Sequence, residues 1–206
     1  MKKKAIILDL DNTLYAVSSI GEELYAGLFE MIRQSKEQTW NMSQLRDEIM
    51  RRPFIQVARD HHFSEELIQR CIAFLKDLTC EGIETFDDYR HIKNLAFKKF
   101  LVTTGFPKLQ KSKIVALRIE KDFDEIHIVD PSTSEKTKKN VFADIMQRHR
   151  FAPSELLVVG DDLHSEIKAA QELGIDAILY NKISSAQRDP SVPAISDFSA
   201  IGQFLA

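Results

Sequence analysis

The run Ala5-Ile6-Ile7-Leu8, continued by Leu10, is apolar until it meets two carboxylates, Asp9 and Asp11. An uninterrupted apolar strand needs cover on both faces, which a central strand of a parallel α/β sheet receives. Open sheets of that type bind ligands at the carboxyl ends of their strands, and Asp9 and Asp11 fall there. A carboxylate at such a mouth can bind a divalent cation, attack an electrophile or move a proton. Asp, Asn and Thr also cap ordinary helices, so two acids decide nothing until the rest of the chain is read.

Four further apolar runs read as strands: Phe100 to Thr103, Ile126 to Val129, Leu156 to Val159 and Ala177 to Tyr180. Helical stretches separate them at the spacing of βαβ units, which predicts a parallel sheet. Between Ser19 and Leu95 no strand pattern occurs. Helical periodicity runs instead through Leu24, Leu28, Met31 and Ile32, then Leu45 and Ile49, then Phe54, Val57 and Ala58, and then Leu67, Ile68, Cys71, Ile72 and Leu75. The expected architecture is an α/β, Rossmann-like doubly wound parallel sheet core (residues 1–14 and 96–206) with an inserted α-helical cap subdomain (15–95). Ser185 to Pro193 reads as a loop and Ile195 to Leu205 as a short closing helix.

A chain of 206 residues can bury one core plus a modest insert. Cys71 and Cys80 lack Cys-x-x-Cys or His-partner spacing and read as reduced core residues. The basic start, Met1 to Lys4, leads into an apolar stretch that Asp9 and Asp11 cut short, a poor signal peptide. No apolar run approaches the roughly 20 residues of a membrane span. The protein is therefore expected to be cytoplasmic. A formal charge of −3 gives no electrostatic footprint for nucleic acid. The histidines, His61 and His62 included, show no zinc-ligand spacing.

Three more strand or helix ends carry polar groups. Thr103-Thr104-Gly105 offers a hydroxyl and free backbone N–H groups, a seat for an anion or simply a Thr cap and a Gly turn. Gly160-Asp161-Asp162, with Glu166 in the next helical turn, brings more acids to the sheet's mouth, where clustered carboxylates repel one another unless a cation such as Mg²⁺ neutralises them. Ser134 to Phe142 reads as a helix start carrying Lys136, Lys138 and Lys139, although cations at a helix N-terminus oppose the macrodipole. One of the three lysines is expected to serve a ligand.

Taken in order, Asp9-x-Asp11-x-Thr13, Thr103, a lysine and Gly160-Asp161-Asp162 resemble the haloacid dehalogenase superfamily of aspartyl-phosphate phosphatases. The helical insert after the first motif resembles that superfamily's helical-bundle cap. Asp9 to Tyr15 and Thr103-Thr104-Gly105-Phe106-x-x-Leu109-Gln110 are also similar to its pyrimidine 5′-nucleotidase-like branch. The resemblance implies Asp9 as nucleophile and metal ligand, and Asp11 as proton donor and acceptor whose backbone carbonyl touches the metal. It further implies Thr103, Thr104, Gly105 and Lys136 around the phosphate, and Asp161 on Mg²⁺. Lys136 is chosen over its rival Lys138 because its distance to Phe142 matches the family's Lys-to-Phe spacing, although Thr137 stands where the family often has proline. Asp162 and Glu166 are candidates for the metal's surroundings, Glu166 standing where aspartate is usual.

The implied activity is Mg²⁺-dependent hydrolysis of a small phosphorylated metabolite, nucleotides among the candidates, by a monomer or homodimer with neither membrane nor nucleic acid as partner. A phosphoglucomutase-like transferase, a metal-independent dehalogenase and a non-catalytic phospho-accepting signalling domain are the alternatives. Trp40 and Phe54 are candidates for the cap's inner surface or for its own core.

Overall fold

In the computed structural model, residues 2–35, 37, 39–133, 136–183 and 189–205 are described. β1 (Ala5–Leu8) is buried at every position and pairs in parallel with β2 (Lys98–Thr104) on one side and β4 (Leu156–Gly160) on the other. With β3 (Glu125–Val129), β5 (Asp176–Tyr180) and β6 (Ala194–Ile195) the sheet has the order β3-β2-β1-β4-β5-β6, all pairs parallel. The chain moves outward from β1 through β2 to β3, then returns to β1's other side for β4. That reversal opens a crevice beyond the ends of β1, β2 and β4.

Strand residues alternate between faces, as the period of two demands. Ala5 and Ile7 join Phe100, Val102 and Val158 against Val141, Phe142 and Ile145 of α8 (Lys138–His149) and Ala169 and Ala170 of α9 (Lys168–Glu172). Ile6 and Leu8 join Leu101, Leu157 and Val159 against Leu109 and Ile114 of the helix Pro107–Ala116 and the turn Phe198–Phe204. That second cluster runs on without a break into the helices between β1 and β2.

Those helices are α1 (Gly21–Leu24), α2 (Ala26–Ser35), α3 (Met42–Ile49), α4 (Phe54–Asp60), α5 (Glu65–Asp77) and α6 (Tyr89–Lys93); the helix after β2, Pro107–Ala116, is α7. Asn41 caps α3 by accepting from the Gln44 N–H, and Ser64 caps α5 by accepting from the Leu67 N–H. The apolar stripe of α5, Leu67, Ile68, Cys71, Ile72 and Leu75, is buried. α6 is tied to the sheet: the neighbouring Asp88 carboxylate accepts from the Tyr180 hydroxyl (2.7 Å) and the Phe198 N–H (2.8 Å). Among the described residues no helix is long and apolar enough to cross a membrane.

The end of the chain departs from expectation. Ala194–Ile195 adds a sixth strand through Leu179 N–H to Pro193 O and Asn181 N–H to Ile195 O, and the helical turn begins only at Phe198. Of the expected loop at 185–193, residues 185–188 lie outside the described residues, as do Ser134 and Glu135 of the expected helix start.

Candidate active site

Asp9 extends the pairing of β1 one step further, its N–H donating to Val159 O at 3.1 Å. The chain then turns sharply at Asn12, whose φ of 56° lies in the left-handed region that Asn tolerates. The Asn12 side-chain oxygen holds this turn by accepting from the Val17 N–H (3.1 Å). Thr13, fully buried, directs its hydroxyl to Asp161 Oδ1 at 3.4 Å.

Around Asp9 the acids converge. Glu166 is 1% exposed; its Oε1 accepts from the Asp162 N–H (2.8 Å) and its Oε2 from Lys138 Nζ (2.7 Å). Gly160 makes room for it, because a Cβ there would stand 2.2 Å from Glu166 Oε1. Lys138 Nζ also reaches Asp9 Oδ1 at 2.6 Å, and both side chains are buried. Carboxylate oxygens of Asp9, Asp161 and Glu166 lie within 4.8 Å of one another. Burial pushes the Asp9 carboxyl up to about 7; Lys138 pulls it down, but Glu166 and Asp11 push with the burial. Burial, then Glu166 and Asp9, hold Asp161 well above the carboxylate range. The Lys138 ammonium is kept above its ordinary range because Asp9 and Glu166 outweigh the cost of burial. Three carboxylates facing one ammonium are a set of hard oxygen donors with charge to spare, which fits a cation such as Mg²⁺.

Asp11, two residues on, meets different neighbours. Its Oδ1 accepts from Lys113 Nζ (2.7 Å) and the Tyr15 hydroxyl (2.5 Å), and its Oδ2 from Gln110 Nε2 (2.8 Å). Burial would raise this carboxyl, yet Lys113, Tyr15 and Gln110 together hold it below the ordinary value. The same Gln110 nitrogen donates to Thr103 Oγ1 at 2.6 Å. Gly105 permits that, since a Cβ there would approach Gln110 Cδ and Cγ to 2.9 Å.

The expected site residues sort as follows. Asp9, Asp11, Thr103, Thr104, Gly105, Asp161, Asp162 and Glu166 border one cavity of about 110 Å³, together with Phe54, Lys113 and Lys138. Lys136 is not in that lining; it is exposed, and the lysine beside Asp9 is Lys138, a correction to the expectation. The reason is where the helix starts. Thr137 is the N-cap, its N–H and hydroxyl both donating to Asn140 Oδ1 (2.8 Å each), so Lys138 is the first helical residue and Lys136 precedes the cap. The Asp11 carboxylate is engaged away from the acid cluster of Asp9, Asp161 and Glu166; the metal contact expected of Asp11 is through its backbone carbonyl. The Asp162 carboxylate caps the helical turn Leu163–Ile167 by accepting from the His164 N–H (2.8 Å). Trp40 belongs to the packing of the helical insert, 4.5 Å from the Phe63 ring, with its indole N–H on His61 O. Beside the cavity a cleft of about 650 Å³ runs between Asn12, Asp161 and Tyr180 and the α3 side of the insert, including Gln44 and Arg51.

Tyr15 and Gln110 stand in the sequence motifs without a role assigned to them, and Lys113 lies outside those motifs. A signal existed for two of them. Leu109 and Ile114 of α7 form an apolar stripe with the residues that flank the helix, Phe106 and Leu117, and Gln110 and Lys113 interrupt it at helical spacing on the buried face.

The family model described as haloacid dehalogenase-like hydrolase matches residues 6–180. A glyceraldehyde 3-phosphate phosphatase of Methanopyrus kandleri is 23% identical over 91% of this chain and 88% of its own. A protein of the same name from Methanothermobacter thermautotrophicus is 26% identical over 55% of this chain and 54% of its own. Among solved structures, the haloacid dehalogenase-like hydrolase SP0104 of Streptococcus pneumoniae superposes with a TM-score of 0.75 at 18% identity, over 98% of each chain. The magnesium-bound HAD-hydrolase YfnB of Bacillus subtilis superposes with a TM-score of 0.67 at 20% identity, over 100% of this chain and 99% of that one. At such identities the structural likeness speaks for the fold.

Proposed function

We propose, from the premise that the chain belongs to the haloacid dehalogenase-like hydrolases, that it is a Mg²⁺-dependent phosphomonoester hydrolase working through an aspartyl phosphate. The observation that carries this reading is the surroundings of Asp9: a buried carboxylate at the mouth of the central strand, against Lys138, with two further acids beside it. A carboxylate approaching a phosphate dianion meets repulsion of about 4 kcal/mol per pair of unit charges at 4 Å and an effective dielectric near 20, so nearby positive charge is a condition of attack. Lys138 supplies part of it. Asp9, Asp161 and Glu166 would hold Mg²⁺, which supplies the rest and draws charge from the phosphate oxygens.

In the first step an Asp9 oxygen forms a bond to phosphorus while the bond from phosphorus to the leaving oxygen breaks, and Asp11, a carboxylate in the resting site, takes a proton from the substrate's phosphate monoanion or from solvent water and passes it to that oxygen. In the second step Asp11 takes a proton from the water that attacks the aspartyl phosphate, freeing Asp9 and inorganic phosphate. Thr103 and the amides of the turn after it hold phosphate oxygens. The helices between β1 and β2 act as a cap, and Phe54 on the cavity wall gives them a voice in selectivity, because the phosphate contacts are common to all substrates.

The substrate we propose is a small phosphorylated metabolite. The relatives named for glyceraldehyde 3-phosphate and the small cavity over Asp9 support this, while the adjoining cleft keeps nucleotides in the comparison. The test is phosphate release from triose phosphates, other sugar phosphates and nucleoside monophosphates, with Mg²⁺ and with excess chelator. Metal-dependent release, fastest on the short-chain esters, is expected. Undiminished activity in chelator would point to the metal-independent alternative, and a stable phosphoprotein without turnover would point to a signalling domain.

A further inference from the structure

Lys113 is a buried cation that the reaction as written does not use. Its side chain is 3% exposed, and it sits on the buried face of α7, where an apolar residue would serve the fold. Buried ion pairs are weak stabilisers compared with apolar residues of similar volume, so packing alone is a poor reason for a lysine there. What the ammonium touches is Asp11, at 2.7 Å. Gln110, 1% exposed, takes the other Asp11 oxygen and ties it to Thr103, and the missing Cβ of Gly105 leaves space for that arrangement. Both Asp11 oxygens are therefore committed, and two of their three donors, Lys113 and Gln110, come from the helix that follows the phosphate turn while the third is the Tyr15 hydroxyl.

We infer that Lys113, assisted by Gln110, is a positioning residue for Asp11. It holds the carboxylate that exchanges protons at the leaving-group side and keeps it out of the acid cluster around Asp9. Without the ammonium, the Tyr15 hydroxyl and Gln110 would still hold Asp11 near its place, but less firmly, and the carboxylate would meet the leaving oxygen less often in the geometry that proton transfer needs. The inference rests on the phosphatase reading above, and its effect falls on proton transfer, which a purely structural role would not single out.

The test is a leaving-group comparison on the intact, Mg²⁺-loaded protein. For Lys113→Met, turnover of an alkyl phosphate should fall at least about tenfold, a part of the roughly 10²–10⁴-fold that acid–base catalysis contributes, with KM nearly unchanged. The pre-steady-state release of nitrophenolate from p-nitrophenyl phosphate, which needs no proton, should stay within about threefold of the unaltered protein. Lys113→Met added to Asp11→Asn should cost nothing further in alkyl phosphate turnover, since the two act as one unit. Should Lys113→Met fail to fold, Gln110→Met keeps every charge and should give the same split at smaller size. Equal losses on both esters, no loss on either, or a further loss in the double variant would overturn the inference alone. No turnover of either ester by the unaltered protein would overturn the phosphatase reading and this inference with it.

Discussion

Asp9 and Asp11 are separated by one residue, and each meets a buried lysine, yet the two lysines do different things. Around Asp9, one ammonium is shared between Asp9 and Glu166 while Asp161 lies beside them, so negative charge is left over. Around Asp11, one ammonium and two neutral donors meet one carboxylate, and nothing is left over. The Asp9 carboxyl is accordingly pushed up and the Asp11 carboxyl held down. The lesson is one of charge count: the first half of the site calls for a cation, and the second half is complete without one.

The largest expected effect is at the nucleophile. Asp9→Asn should reduce phosphate release to background, a loss of roughly 10⁶-fold if it resembles other covalent nucleophiles, while circular dichroism stays native. Normal turnover would end the comparison at once. Next comes the shared ammonium. Lys138→Ala should lose about a hundredfold to a thousandfold in turnover, the roughly 2.7–4 kcal/mol of a positioned electrostatic group, whereas Lys136→Ala should stay within about threefold. A collapse at Lys136 instead would restore the family spacing and overturn the assignment of Lys138. Smaller again, Glu166→Gln should weaken Mg²⁺ by about 10–100-fold in a metal titration of activity, while Asp162→Asn, whose carboxylate caps a helical turn, should leave Mg²⁺ affinity within about threefold. Equal weakening by the two would place Asp162 in the cluster.

The sequence made the Asp9 half easier to read than the Asp11 half. Apolar runs ending in acids predicted β1 and β4 and their mouth, because central parallel strands must be apolar on both faces. The strands begin before their apolar runs, at Lys98, Glu125 and Asp176, since a charged first residue breaks the pattern without breaking the pairing. β6, two residues long, carries no periodicity at all. Lys138 was displaced by counting back from Phe142, when the N-cap at Thr137 decides which lysine enters the site. The sequence assigns no role to Gln110 or Lys113, because polar residues on a helix ordinarily face water and only the apolar residues around them along α7 say otherwise.

The charge count is tested most directly by thermal stability without the metal, because the same chemical change at the two aspartates should act in opposite directions. Asp9 has its folded value raised from 3.8 to about 7, so ionising it costs stability as pH rises through that window. Asp11 has its folded value lowered, so its carboxylate contributes stability above the ordinary value, lost as pH falls through the lowered one. In excess chelator at pH 8, Asp9→Asn should therefore raise Tm and Asp11→Asn should lower it. At pH 4 the gain from Asp9→Asn should largely vanish. A fall in Tm for both variants at pH 8, or a rise for both, would contradict the account.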